Sequence, residues 1–336
     1  MGNPNDPNTV VDPELRVKNV KGLRVVDASV MPLIPWGNTF TSTMMVAEKG
    51  SDIIKKSIEC DKIVPLVSRD DPNSPNFPDN VHANFIFEFA NTMDLARNNA
   101  YDSPVQNNPV LPLLLAILAS QRNSPKVSES LRHKEYDYII VGAGSAGSVV
   151  ASRLSEILCV NVLLLEAGPT PPLLNDVPVL SRNFWGTDID WNYRTVSQKH
   201  SGFGLVNRQV VWPSGKGLGG SSLLNAMIYV RGNTKNYDDW AAHGAVGWSW
   251  SDVKPYFLKL DDNTDQEYIS DGYHVVGGPI SVQKPRYQAD FKKPLIQSAQ
   301  QLGYKIVDVN GPSQNSPDFS HSEITLHNRK EIPIRT

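Results

Sequence analysis

One stretch, YIIVGAGSAGSVVASRLSEILCVNVLLLEAG from Tyr138 to Gly168, constrains this chain more than any other. Tyr138 to Val141 is a short apolar run rich in β-branched residues, and the pattern then passes through Gly142, Gly144 and Gly147 and changes period. From Ser145 to Glu156 the apolar positions Ala146, Val150 and Leu154 recur every four residues, the spacing of a buried helix face. A second apolar strand, Val162 to Leu165, ends on Glu166. The order is strand, glycine turn, helix, strand, acid.

Each part has a physical role in dinucleotide binding. Gly142 allows a tight turn, Gly144 lets the backbone approach a pyrophosphate, and Gly147 lets helix and strand pack closely. The helix N-terminus offers unpaired N–H groups to the anion. Glu166 lies nineteen residues after Gly147, where a carboxylate accepts hydrogen bonds from ribose hydroxyls. The motif alone leaves NAD and FAD both open.

The 336 residues have room for about two ordinary domains, and 40% apolar residues suffice for a sizeable core. A net charge of -3 gives no sign of a nucleic-acid partner. Two cysteines, Cys60 and Cys159, exclude a disulfide framework, and Cys159 sits in an apolar run that reads as core. The longest apolar run, Val110 to Ala119, is too short to span a bilayer, so no transmembrane segment is expected. No Cys or His grouping has metal-ligand spacing. His243 and His274 read as solvated loop histidines.

Taken in order, the chain opens with an Asn- and Pro-rich loop, then Leu23 to Val26 reads as a strand ending at Asp27, Ala28 and Ser29. A proline-punctuated turn leads to a helix from about Ser42 to Lys56, with Val46, Gly50, Ile53 and Ile54 on one face. The segment GLRVVDASVMPLIPWGNTFTSTMMVAEKGSDIIK resembles the carboxyl-terminal end of the glucose-methanol-choline (GMC) family of flavin oxidoreductases, although here it stands at the amino terminus. Residues 58 to 135 read as connector, with helices expected over Val81 to Ala100 and Val110 to Gln121; VLPLLLAILASQR resembles leaders of arthropod family members. Then WNYRTVSQ and VWPSGKGLGGSSLLNAMIYVRGNTKNYDDWA, from Val211 to Ala241, match the family's first signature. GWSWSDVKPYF and HVVGGPISV continue the likeness, the latter beginning a substrate-side sheet.

The resemblance implies an α/β fold: a partial Rossmann-like FAD-binding domain of GMC type with the start of a substrate-domain β-sheet. It divides the chain into residues 1–57, the family's carboxyl-terminal strand, turn and helix; 58–135, connector; and 136–336, the amino-terminal FAD-binding part, truncated. Residues 1–57 are then expected to dock on residues 136–250 as a circularly permuted, partial flavin domain. The implied cofactor is FAD, held by Gly142, Gly144, Ser145, Ala146, Gly147, Glu166, Ala167, Gly215, Gly219, Gly220, Ser221 and Asn225, with Asp27, Ala28, Asn38 and Thr39 from the first segment. The loop around Gly215, Gly217, Gly219 and Gly220 is expected to turn exposed N–H groups toward phosphate and flavin.

Asn38 matches the second residue of the family's active-site pair, while the partner histidine falls upstream of the position matching Met1. The implied reaction is hydride transfer from a CH–OH group of an alcohol or sugar to flavin N5. Phe40 stands where the family usually has Asn, and Trp36 where it often has a small residue. The alternatives are a non-catalytic or incomplete FAD-domain remnant of joined tandem copies and, more weakly, a nicotinamide dehydrogenase. Relatives with such leaders are often exported, but this chain shows no amino-terminal signal peptide and its localisation stays open.

Overall fold

The computed structural model describes residues 1–60, 135–285, 289–313, 319–321 and 323–325. The helices expected over Val81 to Ala100 and Val110 to Gln121 lie outside the described residues.

Helix α1 (Thr39–Lys55) starts three residues earlier than its pattern suggested and is buried on nearly every side. Met44, Met45, Val46 and Ala47 follow one another without polar interruption, so no single face is left for water. Each face meets a different part of the chain. Met45 and Val46 pack with Val11, Leu15, Tyr237, Trp240, Trp248 and Phe257. Ala47 and Ile54 pack with Ala146, Val150, Leu154 and Leu164, and Met44 packs with Tyr229, Leu260, Ile280 and Val282.

The stretch from Tyr138 to Gly168 folds as its pattern requires. Strand β1 (Tyr138–Val141), helix α2 (Ser145–Ser155) and strand β2 (Val162–Leu165) form a βαβ unit with the strands parallel, Tyr138 opposite Val162 and Val141 opposite Leu165. The alanines of α2 let it approach α1 closely, and charges lock the pair. Glu48 of α1, only 1% exposed, accepts from Arg153 of α2 at 2.8 Å and pairs with Lys259 at 3.0 Å. Burial opposes the Arg153 charge, but hydrogen bonds to Glu48 and Glu156 override it and raise its pKa above the ordinary arginine value. Lys55 adds a second link to Glu156 at 2.8 Å.

A disulfide joins Cys60, just beyond α1, to Cys159 in the turn between α2 and β2. Cys159 is therefore exposed and bonded rather than core. Its apolar neighbours misled the pattern because the turn after α2 carries Leu158 to the surface, at 82% exposure.

Beyond β2, strands β3 (Tyr193–Arg194) and β4 (Val211–Trp212) pair as an antiparallel ribbon. Strand β5 (Ile228–Tyr229) precedes helices α3 (Thr234–Ala242) and α4 (Trp250–Leu260). Asn233 with Asn236 and Ser249 with Asp252 form capping boxes that satisfy first-turn amides of α3 and α4. Then come β6 (Asp261–Asn263), β7 (Ile280–Gln283), α5 (Lys292–Gln301), β8 (Ile306–Asp308), β9 (Phe319–His321) and β10 (Glu323–Thr325). Four of these strands make one sheet in the order β5-β10-β7-β6, and β8 pairs parallel to β9.

Two expectations fail here. Leu23 to Val26 makes no strand ladder; the segment is held by single links, Val17 N–H to Leu23 O at 2.9 Å and Val25 N–H to Leu15 O at 3.1 Å. These two bonds flank one isolated antiparallel bridge, Arg16 to Arg24, which does not extend into a ladder. His274 is not solvated: it is 1% exposed, bonded through Nε2 to Asp308 at 2.8 Å and 3.3 Å from Asp261, which also holds Arg231 at 2.7 Å. Burial opposes ionisation of Asp308, but the His274 hydrogen bond and the Asn310 amide override it and hold the carboxyl below its usual range.

Glu48→Ala leaves Lys259 and Arg153 without their shared carboxylate. Breaking a buried pair costs about 3–5 kcal/mol, and the lower end is expected because Arg153 keeps Glu156. Urea unfolding of variant and parent would read the loss, and an unchanged midpoint would show that α1 is not held by this carboxylate.

Candidate functional site

A cleft of about 1410 Å³ opens where the start of α1, the turn between β1 and α2, the end of β2 and the second glycine loop converge. Its walls include Asp27, Ala28, Asn38, Thr39, Gly142, Gly144, Ser145, Ala146, Gly147, Glu166, Ala167, Gly215, Gly220, Ser221 and Asn225, residues far apart in the chain. Gly219 alone among the expected site residues is absent from that wall.

The first turn is built by backbone geometry. Gly142 adopts φ +96 and donates its N–H to Leu165 O at 2.7 Å, a left-handed conformation that a side chain would strain. A Cβ on Gly147 would stand 1.9 Å from Gly142 O, so only glycine lets α2 begin this close to β1. Helix geometry leaves the N–H groups of Ser145, Ala146 and Gly147 without intrahelical acceptors at the cleft wall. Glu166 is buried and bridges the turn, Oε2 accepting from Ala143 N–H at 2.7 Å and Oε1 from Gly168 N–H at 2.8 Å. Each carboxylate oxygen keeps a further lone pair for a ligand hydroxyl.

The second glycine loop lies directly against the first. Gly220, at φ +53, is so close to Gly144 that an added Cβ would sit 2.7 Å from its Cα. Gly219 N–H donates to Ala143 O at 2.8 Å, which explains its place behind the wall. Some amides of this loop turn inward: Gly220 donates to Gly217 O at 2.8 Å, Ser222 to Gly219 O at 3.2 Å and Gly215 to Ser221 Oγ at 3.2 Å. Tight turns bring these donors and acceptors together, while the Ser221 N–H at the cleft wall is not taken up by any of these bonds. Asn225 Oδ1 accepts from Met227 N–H at 3.0 Å, leaving its Nδ2 for other acceptors.

From the first segment, Asp27 caps the short helical turn Ala28–Val30, accepting from Ser29 N–H at 2.7 Å. Asn38 precedes α1 and makes no side-chain capping bond. Gly37 holds φ +126 with space for a Cβ only 2.5 Å from Val230, which fixes the entry into the helix. Trp36 points outward at 74% exposure and anchors by its N–H to Asn236 at 2.9 Å, while Phe40 packs beside Met44. Trp191, Ser214, Met227 and Ile228 also line the cleft and were not singled out from the sequence. Trp191 opens the motif WNYRTVSQ, and its position after a compact loop is the signal that would have marked it.

A model of the amino-terminal part, described as GMC oxidoreductase, matches residues 136–331, and one of the carboxyl-terminal part, with the same description, matches residues 1–47. The chain belongs to the GMC oxidoreductase family. It is 44% identical over 194 residues to a Drosophila melanogaster protein named glucose dehydrogenase (FAD, quinone), covering 58% of this chain and 31% of that one. It is 38% identical over 192 residues to the ecdysone oxidase of Spodoptera littoralis, covering 56% and 32%. It is also similar to the crystal structure of pyridoxine 4-oxidase from Mesorbium loti, at 34% identity and TM-score 0.47, covering 52% and 33%. The chain spans about a third of the length of the curated relatives it matches.

Gly220→Ala adds strain at a positive φ, about 1–2 kcal/mol, and a clash with Gly144. Its urea midpoint is expected to fall accordingly, whereas a midpoint equal to the parent's would mean the two glycine loops do not touch in solution.

Proposed function

We propose that the cleft binds FAD and that this GMC oxidoreductase chain carries the flavin side of an enzyme acting on a CH–OH group of an alcohol or sugar. The observation that carries the reading is the meeting of both glycine loops with the Asp27–Ala28 and Asn38–Thr39 segments around one cavity. At about 1410 Å³ that cavity exceeds the roughly 300–1,000 Å³ of an ordinary small-molecule pocket, as an extended dinucleotide needs. The first-turn amides of α2 suit a pyrophosphate, and the Glu166 carboxylate suits ribose hydroxyls.

When bound, FAD supplies the two-electron acceptor for hydride leaving the substrate carbon. The residues of this chain bind and orient. Asn38, with no capping bond of its own, offers a neutral carboxamide that can hold a substrate oxygen but does not take up a proton at working pH. Among the described residues lining the cleft there is no histidine, and the two carboxylates, Asp27 and Glu166, already accept backbone N–H groups. This favours a second reading: FAD binding without turnover by this chain alone.

The visible spectrum of the purified chain, before and after denaturation, tests both. Near one equivalent of flavin, followed by bleaching of its bands on anaerobic addition of glucose or ecdysone, is the result expected of an enzyme. Flavin that stays oxidised with every CH–OH donor supports the second reading. A colourless chain that takes up no added FAD would overturn both.

The disulfide between Cys60 and Cys159 supports an oxidising compartment for the protein. Thiol alkylation of protein from its natural source is expected to label neither cysteine; labelling of both would reject that location.

A further inference from the structure

The ribbon from Trp191 to Lys216 plays no part in the three packed faces of α1. Its arms pair through β3 and β4 and then through Thr195 N–H to Val210 O at 3.0 Å and Gln198 N–H to Arg208 O at 2.9 Å. Its tip closes on itself, Leu205 N–H donating to Gly202 O and Arg208 N–H to Leu205 O. At the root, Trp191 N–H bonds Ser214 O at 2.8 Å.

The ribbon combines two properties that ordinary surface loops keep apart. Large apolar side chains face outward: Phe203 is 70% exposed, Val206 75%, Val196 79% and Trp212 62%, with Tyr193 and Leu205 also exposed. Among them stand Arg194, Lys199, Arg208 and Lys216, and no Asp or Glu occurs from Trp191 to Lys216. Two cations lie over rings, Arg208 over Phe203 at 5.0 Å and Lys216 over Trp191 at 4.8 Å. The nearest acids in sequence are Asp188 and Asp190 before the root, and Asp190 is occupied by the amides of Gly186, Asn192 and Ser214.

We propose that this ribbon docks the protein on an anionic lipid surface, the Phe203–Val206 tip entering the headgroup layer while the cations meet lipid phosphates and carboxylates. Aromatic rings settle at the membrane–water boundary, and Lys and Arg extend from buried stems to charged headgroups. The charge pattern argues against self-association through the same face, since a two-fold contact would bring each set of cations against its own copy. No helix among the described residues is long and apolar enough to cross a membrane, so this is attachment at the surface. The inference is independent of whether the cleft holds FAD.

Sedimentation of the purified full chain with vesicles tests it. Vesicles of phosphatidylcholine containing a third phosphatidylserine are expected to carry the chain down in low salt and release it in high salt, and pure phosphatidylcholine to carry much less. Lys199→Gln with Arg208→Gln is expected to weaken partitioning roughly 25-fold, at about fivefold per cation. Phe203→Ser with Val206→Ser should weaken it as well, with each variant's thermal unfolding confirming that it folds. Absence of binding to the anionic vesicles, or binding that neither variant weakens, would overturn the proposal. So would a dimer in gel filtration that the Phe203→Ser, Val206→Ser variant dissolves, since the ribbon would then belong to a second copy.

Discussion

The Glu48 carboxylate is the interaction on which the arrangement most depends. It sits on a helix from the first 60 residues, almost without solvent contact, and its charge is balanced by Arg153 of the dinucleotide helix and Lys259 of α4. An isolated buried carboxylate is costly, so α1 has one stable seat, with both cations in reach. The apolar faces around it multiply that choice. Met45, Ala47 and Met44 each enter a different cluster, and sliding the helix along its axis would unpack all of them together. Placement of α1 then fixes Asn38 and Thr39 at the cleft.

A second constraint is the contact of the two glycine loops. Most of the glycines here serve backbone-to-backbone approach. Gly147 lies on Gly142 O, Gly215 on Gly220 O, and Gly220 on Gly144, each at a separation that admits no Cβ. The loops also exchange a hydrogen bond, Gly219 N–H to Ala143 O, while Ala143 N–H goes to Glu166. Several donors of the second loop are thus consumed in holding the wall, and the cleft keeps the amides at the start of α2 and that of Ser221. Both glycine stretches fall within residues 136–331, matched by the GMC oxidoreductase model, and their contact gives a physical reason for finding them in one protein.

Much of this was legible in the sequence where the signal is local. β1, α2 and β2 follow from a change in apolar period at three glycines, because strand and helix spacing are properties of the chain itself. The resemblance implies that Asp27, Asn38, Glu166 and Gly220 serve one cofactor, and in the fold all four line one cleft. Elsewhere local patterns misled. Leu23 to Val26 has strand composition but among the described residues pairs only through one bridge, Arg24 to Arg16, and His274 looks solvated by its neighbours yet is buried between Asp308 and Asp261. Partners distant in sequence decide His274, while the single bridge of Arg24 to Arg16 does not extend into a ladder.

By itself the sequence determined the βαβ unit, the glycine turns and the family, since these reside in spacing and residue type. Only the tertiary structure decided that residues 1–60 close the same cleft as residues 138–228, through a buried ion cluster, three apolar contacts and a disulfide. It also decided that the second glycine loop bonds to itself and its neighbour, and that the Trp191–Lys216 ribbon stands clear of the packed faces of α1. The reason is common to all of these. Burial and hydrogen-bond satisfaction belong to the whole folded surface, and a residue acquires them only when distant segments arrive beside it.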